Sequence, residues 1–312
     1  MAPTWTPDSL PDLSGRTYVV TGGNTGIGKW TVHHLARRNA RVFLGSRSAE
    51  KGQKAISEIQ ASVPHAKVEL LIMDLMDLSS VVAAAKEVAN KSSTLHGLVN
   101  SAGIMATPFF MTKDGYESQF ETNYLSHWVL TWHLLPLLQR TARTSPPGNV
   151  RIVNVSSMGH AAAPSEGIKF QDTSLKHAFT FRRYGQSKLA NILHTKALER
   201  RYGPNGGTAE RSTAIWNVSL HPGNVDTQLN RKAKGSSFTP VLRYLGVFMT
   251  PEEGSYTSLF AVAGTELKDQ DSGSYHIPFG KKKTPSKMAQ DVDLAEKLWN
   301  WTEKEMRSKG FI

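Results

Sequence analysis

Thr17-Tyr18-Val19-Val20-Thr21-Gly22-Gly23-Asn24-Thr25-Gly26-Ile27-Gly28 runs from a short β-branched stretch through a glycine-rich turn into the helical pattern Lys29 to Arg38. Strand, glycine turn and helix in that order make a phosphate site of an otherwise loose motif. Gly22 allows the tight turn, Gly26 lets the backbone approach a pyrophosphate, and Gly28 permits close packing of helix on strand. The helix N-terminus then offers N–H groups to the anion. Asn24, Thr25 and Ile27 fill the turn and join the glycines as candidate cofactor contacts.

Moving outward, Arg41 to Gly45 reads as a second strand, and the residues just after it bear on the choice of cofactor. An acid at this strand end binds both ribose hydroxyls of NAD, whereas an Arg takes the 2′-phosphate of NADP. The chain has Ser46-Arg47-Ser48, with Lys51 one turn into the next helix and no acid before Glu50. A guanidinium grips phosphate bidentately and no carboxylate repels it, which favours NADP(H) over NAD(H) with Ser46, Arg47 and Lys51 as contacts. Ser48 can also serve as an ordinary helix N-cap. Val68 to Met73 and Leu95 to Val99 are read as further strands, closed by Asp74-Leu75 and by Asn100-Ser101-Ala102-Gly103. Tyr116 to Arg140 is a long helical pattern in which Asn123 stands out, because Asn is a poor helix-interior residue unless its side chain or a local distortion has a use.

Asn149 to Val155 is read as a fifth strand and ends in Ser156-Ser157, where ligands bind in an open parallel sheet. Thr213 to Leu220 is a sixth, leading into a turn at Pro222-Gly223, and Gly273 to Phe279 a last one. Residues 228–250 show little periodicity and are read as a lid or loop over the substrate; Leu294 to Met306 is a terminal amphipathic helix whose tryptophans cover core. The chemistry is placed at Tyr184-Gly185-Gln186-Ser187-Lys188. This spacing puts phenol and ammonium on one helix face, about a turn apart. A positive charge there favours the phenolate and is expected to lower the phenol from its ordinary ~10, so that Tyr184 gives and takes a proton. The same spacing also occurs on solvated helix faces, so the pair draws its meaning from the turns around it.

The 312 residues carry 37 Lys+Arg against 26 Asp+Glu, a net charge of +11. A phosphate-rich cofactor suits that balance as well as nucleic acid or a membrane surface would. The densest basic run, Lys281-Lys282-Lys283, reads as a solvated loop, and with no RNA-binding motif or zinc spacing beside it neither nucleic acid nor metal is expected. The lack of cysteine excludes disulfides and thiolate catalysis and fits a cytoplasmic location. Residues 1–14, with Pro3, Pro7 and Pro11, are read as an N-terminal extension without signal or anchor, and no stretch approaches the ~18 apolar residues of a membrane span. Glycosylation sequons at Asn90, Asn154, Asn217 and Asn300 are read as accidental, two of them falling in buried strand ends.

Short strands alternating with crossover helices imply an α/β fold: a doubly wound parallel sheet in three α/β/α layers, one domain over 15–312, with a C-terminal helix near 291–308. The TGxxxGxG spacing resembles that of the short-chain dehydrogenase/reductase family, whose motifs cover residues 15–280. The Gly23 to Lys29 turn, the Arg47 region and Ser-Lys-Leu-Ala-Asn at 187–191 look most like its retinol-dehydrogenase-like and WW-domain-oxidoreductase-like branch. The resemblance implies a Rossmann fold and hydride transfer between nicotinamide C4 and a carbonyl or alcohol carbon. It assigns Ser157, ahead of Ser156, to orient the substrate oxygen, Tyr184 to move the proton, and Lys188 to tune Tyr184 and hold the ribose. Asn123, in Asn-Tyr-Leu-Ser-His-Trp, would hold a water linking the lysine to solvent. Asp74 and the Leu75 backbone would meet the adenine, with helix capping as a competing role for Asp74. Asn100, Ala102 and Gly103 would flank the nicotinamide ribose, Ser101 departing from the family's usual Asn, and Pro222, Gly223, Val225 and Thr227 would meet the nicotinamide amide and phosphates.

In the family the helices near 116–140 and 184–202 often form a homodimer, which a tail can block. Aromatic residues in 158–183 and 228–250 favour a bulky apolar ketone or aldehyde as substrate. Quinone or imine reduction, redox-neutral isomerisation, and a non-catalytic NADP(H)-sensing scaffold are the alternatives on the same fold.

Overall fold

A computed structural model describes residues 5–206, 210, 213–226 and 248–312. In chain order the elements are β1 (Thr17–Val20), α1 (Gly26–Arg37), β2 (Arg41–Ser46), α2 (Ala49–Ser62), β3 (Lys67–Ile72), α3 (Leu78–Lys91) and β4 (Gly97–Asn100). Then come α4 (Ser126–Thr144), β5 (Arg151–Val155), α5 (Thr180–Tyr202), β6 (Trp216–Leu220), α6 (Pro251–Ala263), β7 (Tyr275–Ile277), β8 (Lys281–Lys282) and α7 (Val292–Ser308). The strands lie in the order β3-β2-β1-β4-β5-β6-β7-β8, all pairs parallel except β7 with β8. The chain winds outward from β1 to β3, then restarts at β4 on the other side of β1. Loops therefore diverge above the carboxyl ends of β1 and β4 and open a crevice there, the switch point of a doubly wound Rossmann sheet.

The central strands are buried on both faces, which is why they read as continuous apolar or β-branched runs. One face packs on α3, α4, α5 and α7 through Leu98, Val81, Trp128, Leu193 and Leu298. The other packs on α1, α2 and α6 through Val20, Val99, Leu35, Ile56 and Leu259. The N-terminal extension joins this second core from residue 5 on: Leu10 and Leu13 are buried, and the Trp5 ring meets Phe260 edge-on at 5.7 Å.

Several elements differ from the sequence reading. β6 begins at Trp216, where the Trp216 N–H finds the Val150 carbonyl at 2.9 Å; Thr213 is still in a turn on the Glu210 carbonyl. The lysine run, read as a loop, supplies the antiparallel edge strand β8 with its lysines exposed, a charged edge that discourages further strand pairing. The long helix of 116–140 begins at Ser118, capped by the Glu117 carboxylate, and passes through a π-turn, Glu121–Leu125, before α4. Asn154 and Asn217 of the sequons are buried.

α7 starts on Asp291, whose carboxylate accepts the Leu294 N–H at 2.9 Å. It lays Leu298, Trp299 and Met306 onto α4 and α5, each such fully buried side chain contributing about 1.5–3 kcal/mol. Arg201 clamps Glu296 with two hydrogen bonds of 2.8 Å, and the Tyr124 hydroxyl meets Thr302 at 2.7 Å. The C-terminal helix thus packs on α4 and α5, the helices on which the family resemblance places a possible homodimer contact. Among the described residues, no helix is long and apolar enough to cross a membrane.

Candidate active site

The glycine turn is steric before it is chemical. A Cβ on Gly28 would stand 2.3 Å from the Gly22 carbonyl oxygen, so only glycine lets α1 start so close to the turn. Gly22 (φ +66°) and Gly26 (φ +54°) occupy the left-handed region that glycine tolerates. Thr25 is the extended N-cap of α1 but makes no side-chain capping bond, which leaves the first-turn N–H groups for an anion. These features fit a pyrophosphate. Beside them, Ser46 is buried with its hydroxyl on the Ser48 carbonyl (2.9 Å), and the Ser48 hydroxyl caps α2 by accepting the Lys51 N–H (3.2 Å). Arg47 and Lys51 are exposed above this corner.

The floor of the crevice is tied together by Thr21. Its hydroxyl oxygen accepts the N–H groups of both Ser101 and Ala102 at 2.9 Å and also meets His127 Nε2 at 2.9 Å. The Asn100 side chain is not at the crevice: it is buried, donating to Asn154 Oδ1 (2.9 Å) and Thr131 (3.3 Å), so only its main chain is left for a ligand. Asp74 accepts the Met76 N–H (3.0 Å) and shapes the turn, while the cap of α3 is Asp77. Leu75 is buried, its carbonyl accepting from the Ser126 hydroxyl at 2.7 Å.

Tyr184 and Lys188 lie on one face of α5, both buried, with the Lys188 ammonium 5.8 Å from the phenol ring centre. The lysine donates to the Val155 carbonyl at 2.8 Å, and the Ser157 hydroxyl, which accepts the Gly159 N–H at 3.0 Å, lies beside the phenol across Gly159. Ser156 points elsewhere, donating to the Lys188 carbonyl at 2.7 Å. The expected downward shift of the phenol is reversed here: burial pushes Tyr184 up to about 12, the neighbouring Ser157 hydroxyl opposing it, and burial pulls Lys188 down to about 7. Desolvation disfavours the charged form of each. Gly159 is pressed against the phenol, since a Cβ there would come 2.8 Å from the ring.

Asn123 sits in the π-turn, the distortion its poor helix propensity hinted at. Its side chain is fully engaged: Oδ1 accepts the Ile104 N–H (2.8 Å), and Nδ2 donates to the Ile104 carbonyl (3.0 Å) and the Ser187 hydroxyl (2.9 Å). These bonds place the Asn123 amide against Gly103, whose added Cβ would lie 3.1 Å from Oδ1 and 3.4 Å from the Lys188 nitrogen. At the far rim, Gly223 has φ +99°, Val225 bridges to Met249, and a Cβ on Gly254 would strike Val225 at 2.6 Å; Pro222 opens this turn. Thr227, and the loop expected over 228–250 up to residue 247, lie outside the described residues. Of the aromatic residues between Ser157 and Tyr184, Phe170 packs on Trp301, whereas Phe179 and Phe181 are exposed one turn before Tyr184. Sequence reading passed over Thr21, His127 and His160; the last two stand at helical spacing after Asn123 and Ser157, the one signal that could have drawn attention to them.

A glycine-bared turn at the switch point, with a buried phenol and amine across the neighbouring strands, defines an oxidoreductase that works with a dinucleotide. The short chain dehydrogenase family model matches residues 16–236, and the whole chain is 52% identical, over 315 aligned residues and 100% of both proteins, to the short-chain dehydrogenase/reductase drtF of Aspergillus calidoustus. The chain belongs to the short-chain dehydrogenase/reductase family, in its retinol-dehydrogenase-like branch, and is an NAD(P)-dependent oxidoreductase. Retinol dehydrogenase 11 of Mus musculus is 37% identical over 298 residues, 92% of this chain and 85% of that one. Among solved structures, an uncharacterized protein from Mycobacterium Paratuberculosis matches with a TM-score of 0.73 at 32% identity, covering 97% of each chain.

Proposed function

We propose that the protein transfers hydride between NADP(H) and a bulky apolar ketone or aldehyde, or the matching alcohol, with Tyr184 as the proton donor and acceptor. The observation that carries this reading is the grouping of Ser157, Tyr184 and Lys188 at the carboxyl edge of the sheet, the phenol beside the serine hydroxyl and backed by the amine. When bound, the nicotinamide supplies or accepts the hydride. The chain's own residues handle the oxygen and its proton. Ser157 is half-buried with its hydroxyl beside the phenol, so an oxygen resting between them takes a hydrogen bond from each. With Tyr184 held near 12, the phenol keeps its proton at neutral pH and is a donor in the reduction direction. Lys188, poised at about 7, is partly ammonium there, and its charge stabilises the phenolate as the proton leaves.

Preference for NADP(H) is supported by exposed Arg47 and Lys51 beside the turn, with no carboxylate between Ser46 and Ala49. Apolar substrate is supported by Phe179, Phe181 and Met158 exposed around Tyr184. A cytoplasmic protein, single-domain over 15–312, acting on a small molecule completes the proposal. The test is Tyr184→Phe, assayed by NADPH oxidation against ketones, aldehydes, quinones and imines with NADH as control. Turnover should vanish while NADPH still quenches tryptophan fluorescence; near-normal turnover would refute the role of Tyr184. Product formed without NADPH consumption would point to an isomerase.

A further inference from the structure

We propose that His127 and His160 are a matched pair of positioning residues, each using its Nδ1–H to hold the main-chain carbonyl of one residue of the reacting group and each locked from behind through Nε2. The proposal rests on the functional reading above for what those carbonyls position. His127 Nδ1 lies 3.0 Å from the Asn123 carbonyl oxygen, and His160 Nδ1 lies 2.7 Å from the Ser157 carbonyl oxygen. Both rings are buried.

Their protonation is dictated by partners whose roles are fixed. The Thr21 oxygen already accepts the Ala102 N–H and the Ser101 N–H, the latter shared with the Val99 carbonyl at 3.0 Å, which occupies both lone pairs of the hydroxyl and leaves its own hydrogen to be donated. Its nearest acceptor is His127 Nε2 at 2.9 Å, the alternative Val99 carbonyl being 3.5 Å away. Nε2 of His127 therefore carries no hydrogen, and Nδ1 donates to Asn123. For His160 the lock is simpler: the Ser286 main-chain N–H can only donate, and it donates to Nε2 at 3.2 Å, so Nδ1 again holds the hydrogen. Burial also keeps both rings neutral, lowering each below the usual histidine value. The other tautomer would set an acceptor nitrogen against each carbonyl oxygen and an N–H against a group with no acceptor to offer.

The two clamps reach in opposite directions. His127 joins the π-turn to Thr21 and so to the β1 and β4 ends that floor the cofactor crevice. His160 joins the β5 end to the segment leading into the C-terminal helix, at Ser286. A displacement near 1 Å at either carbonyl would move Asn123 or Ser157 out of register with Tyr184, a size of error that costs about a hundredfold in rate.

The test begins on the unmodified protein. Long-range 1H–15N correlation spectra of histidine-labelled protein at pH 7, assigned with His127→Gln and His160→Gln, should show both rings as neutral Nδ1–H tautomers. An Nε2–H tautomer or an imidazolium at either position overturns the proposal there, whatever the turnover. Kinetics supply the second arm, with NADPH and a panel of aromatic aldehydes and ketones as probes. Asn places an amide N–H where Nδ1 stood, so His127→Asn and His160→Asn should keep kcat within about threefold; Gln reaches only the Nε2 position, so the Gln variants should lose about tenfold to a hundredfold in kcat with KM for NADPH unchanged. Equal kcat in the Asn and Gln variants, with only stability lowered, reduces the histidines to packing and sinks the positioning role. If the parent protein itself turns over none of the probes, the functional reading fails while the tautomer spectra still decide the clamps.

Discussion

Two irregular turns bring main chain to this active site, and they are made in opposite ways. The glycine turn between β1 and α1 is made by leaving atoms out: Gly28 has no room for a Cβ beside the Gly22 carbonyl. The π-turn at Glu121–Leu125 contains no glycine, and it is held by hydrogen bonds to residues distant in sequence, Ile104, Ser187 and, through Asn123 and His127, Thr21. The first is written locally and breaks by addition of a methyl group. The second is distributed over several elements and should break by removal of a hydrogen bond.

The sharpest way to break the glycine side is Gly28→Ala. Its methyl would meet a backbone oxygen that cannot swing aside, so a loss of about 3 kcal/mol or more in urea unfolding is expected, together with loss of NADPH binding measured by fluorescence. On the other side, Asn123→Ala strips the Ile104 main chain of both partners inside a buried turn. That should cost roughly 2–3 kcal/mol and lower kcat far more than it raises KM for NADPH. Should Asn123→Ala instead fold and turn over like the parent, the π-turn would be held by the helix itself and the contrast would collapse.

Acid bears on the π-turn through His127, one of several buried histidines lowered in the same way, so its share is read as the difference between the parent and His127→Gln. His127 behind the π-turn is lowered from 6.5 to about 4 by burial, so the unfolded chain binds its proton first. Its contribution to stability is whole above pH 6.5 and is lost as pH falls from there to about 4, so the chemical-denaturation midpoint of the parent should fall more steeply across that window than that of His127→Gln; equal slopes would contradict this. No histidine lies in the 22–28 turn, so its shape has no such sensitivity of its own. The smallest effect is expected at the corner beside the glycines. Arg47→Ser should weaken NADPH about tenfold, ~1.5 kcal/mol, and leave NADH unchanged; equal losses for both cofactors would remove Arg47 from the 2′-phosphate.

The legibility of the sequence divides along the same line. The sheet and its switch point were legible because strand, glycine turn and helix are consecutive, and because each buried strand announces itself as an apolar run. The strand end carrying Ser156 and Ser157, and the helix face shared by Tyr184 and Lys188, were legible as positions, whereas the choice of Ser157 over Ser156 came from the family resemblance. What local pattern could not give was the engagement of side chains across elements. Nothing near Asn100 says that its amide is bound by Asn154 and Thr131, and nothing near Tyr184 says that burial would push the phenol upward. Edges were misread for a related reason: β8 exists only because β7 is there to pair with Lys281 and Lys282.

The docking of α7 has a spectroscopic side. Trp128 and Trp132 of α4 are stacked with centres 5.2 Å apart, and Trp299 of α7 comes within 5.2 Å of one and 6.2 Å of the other. Three indoles at such separations couple their electronic transitions, and two belong to one helix while the third arrives with the tail. The near-ultraviolet circular dichroism of the native protein therefore carries an intrinsic, label-free signature of whether its last helix is seated.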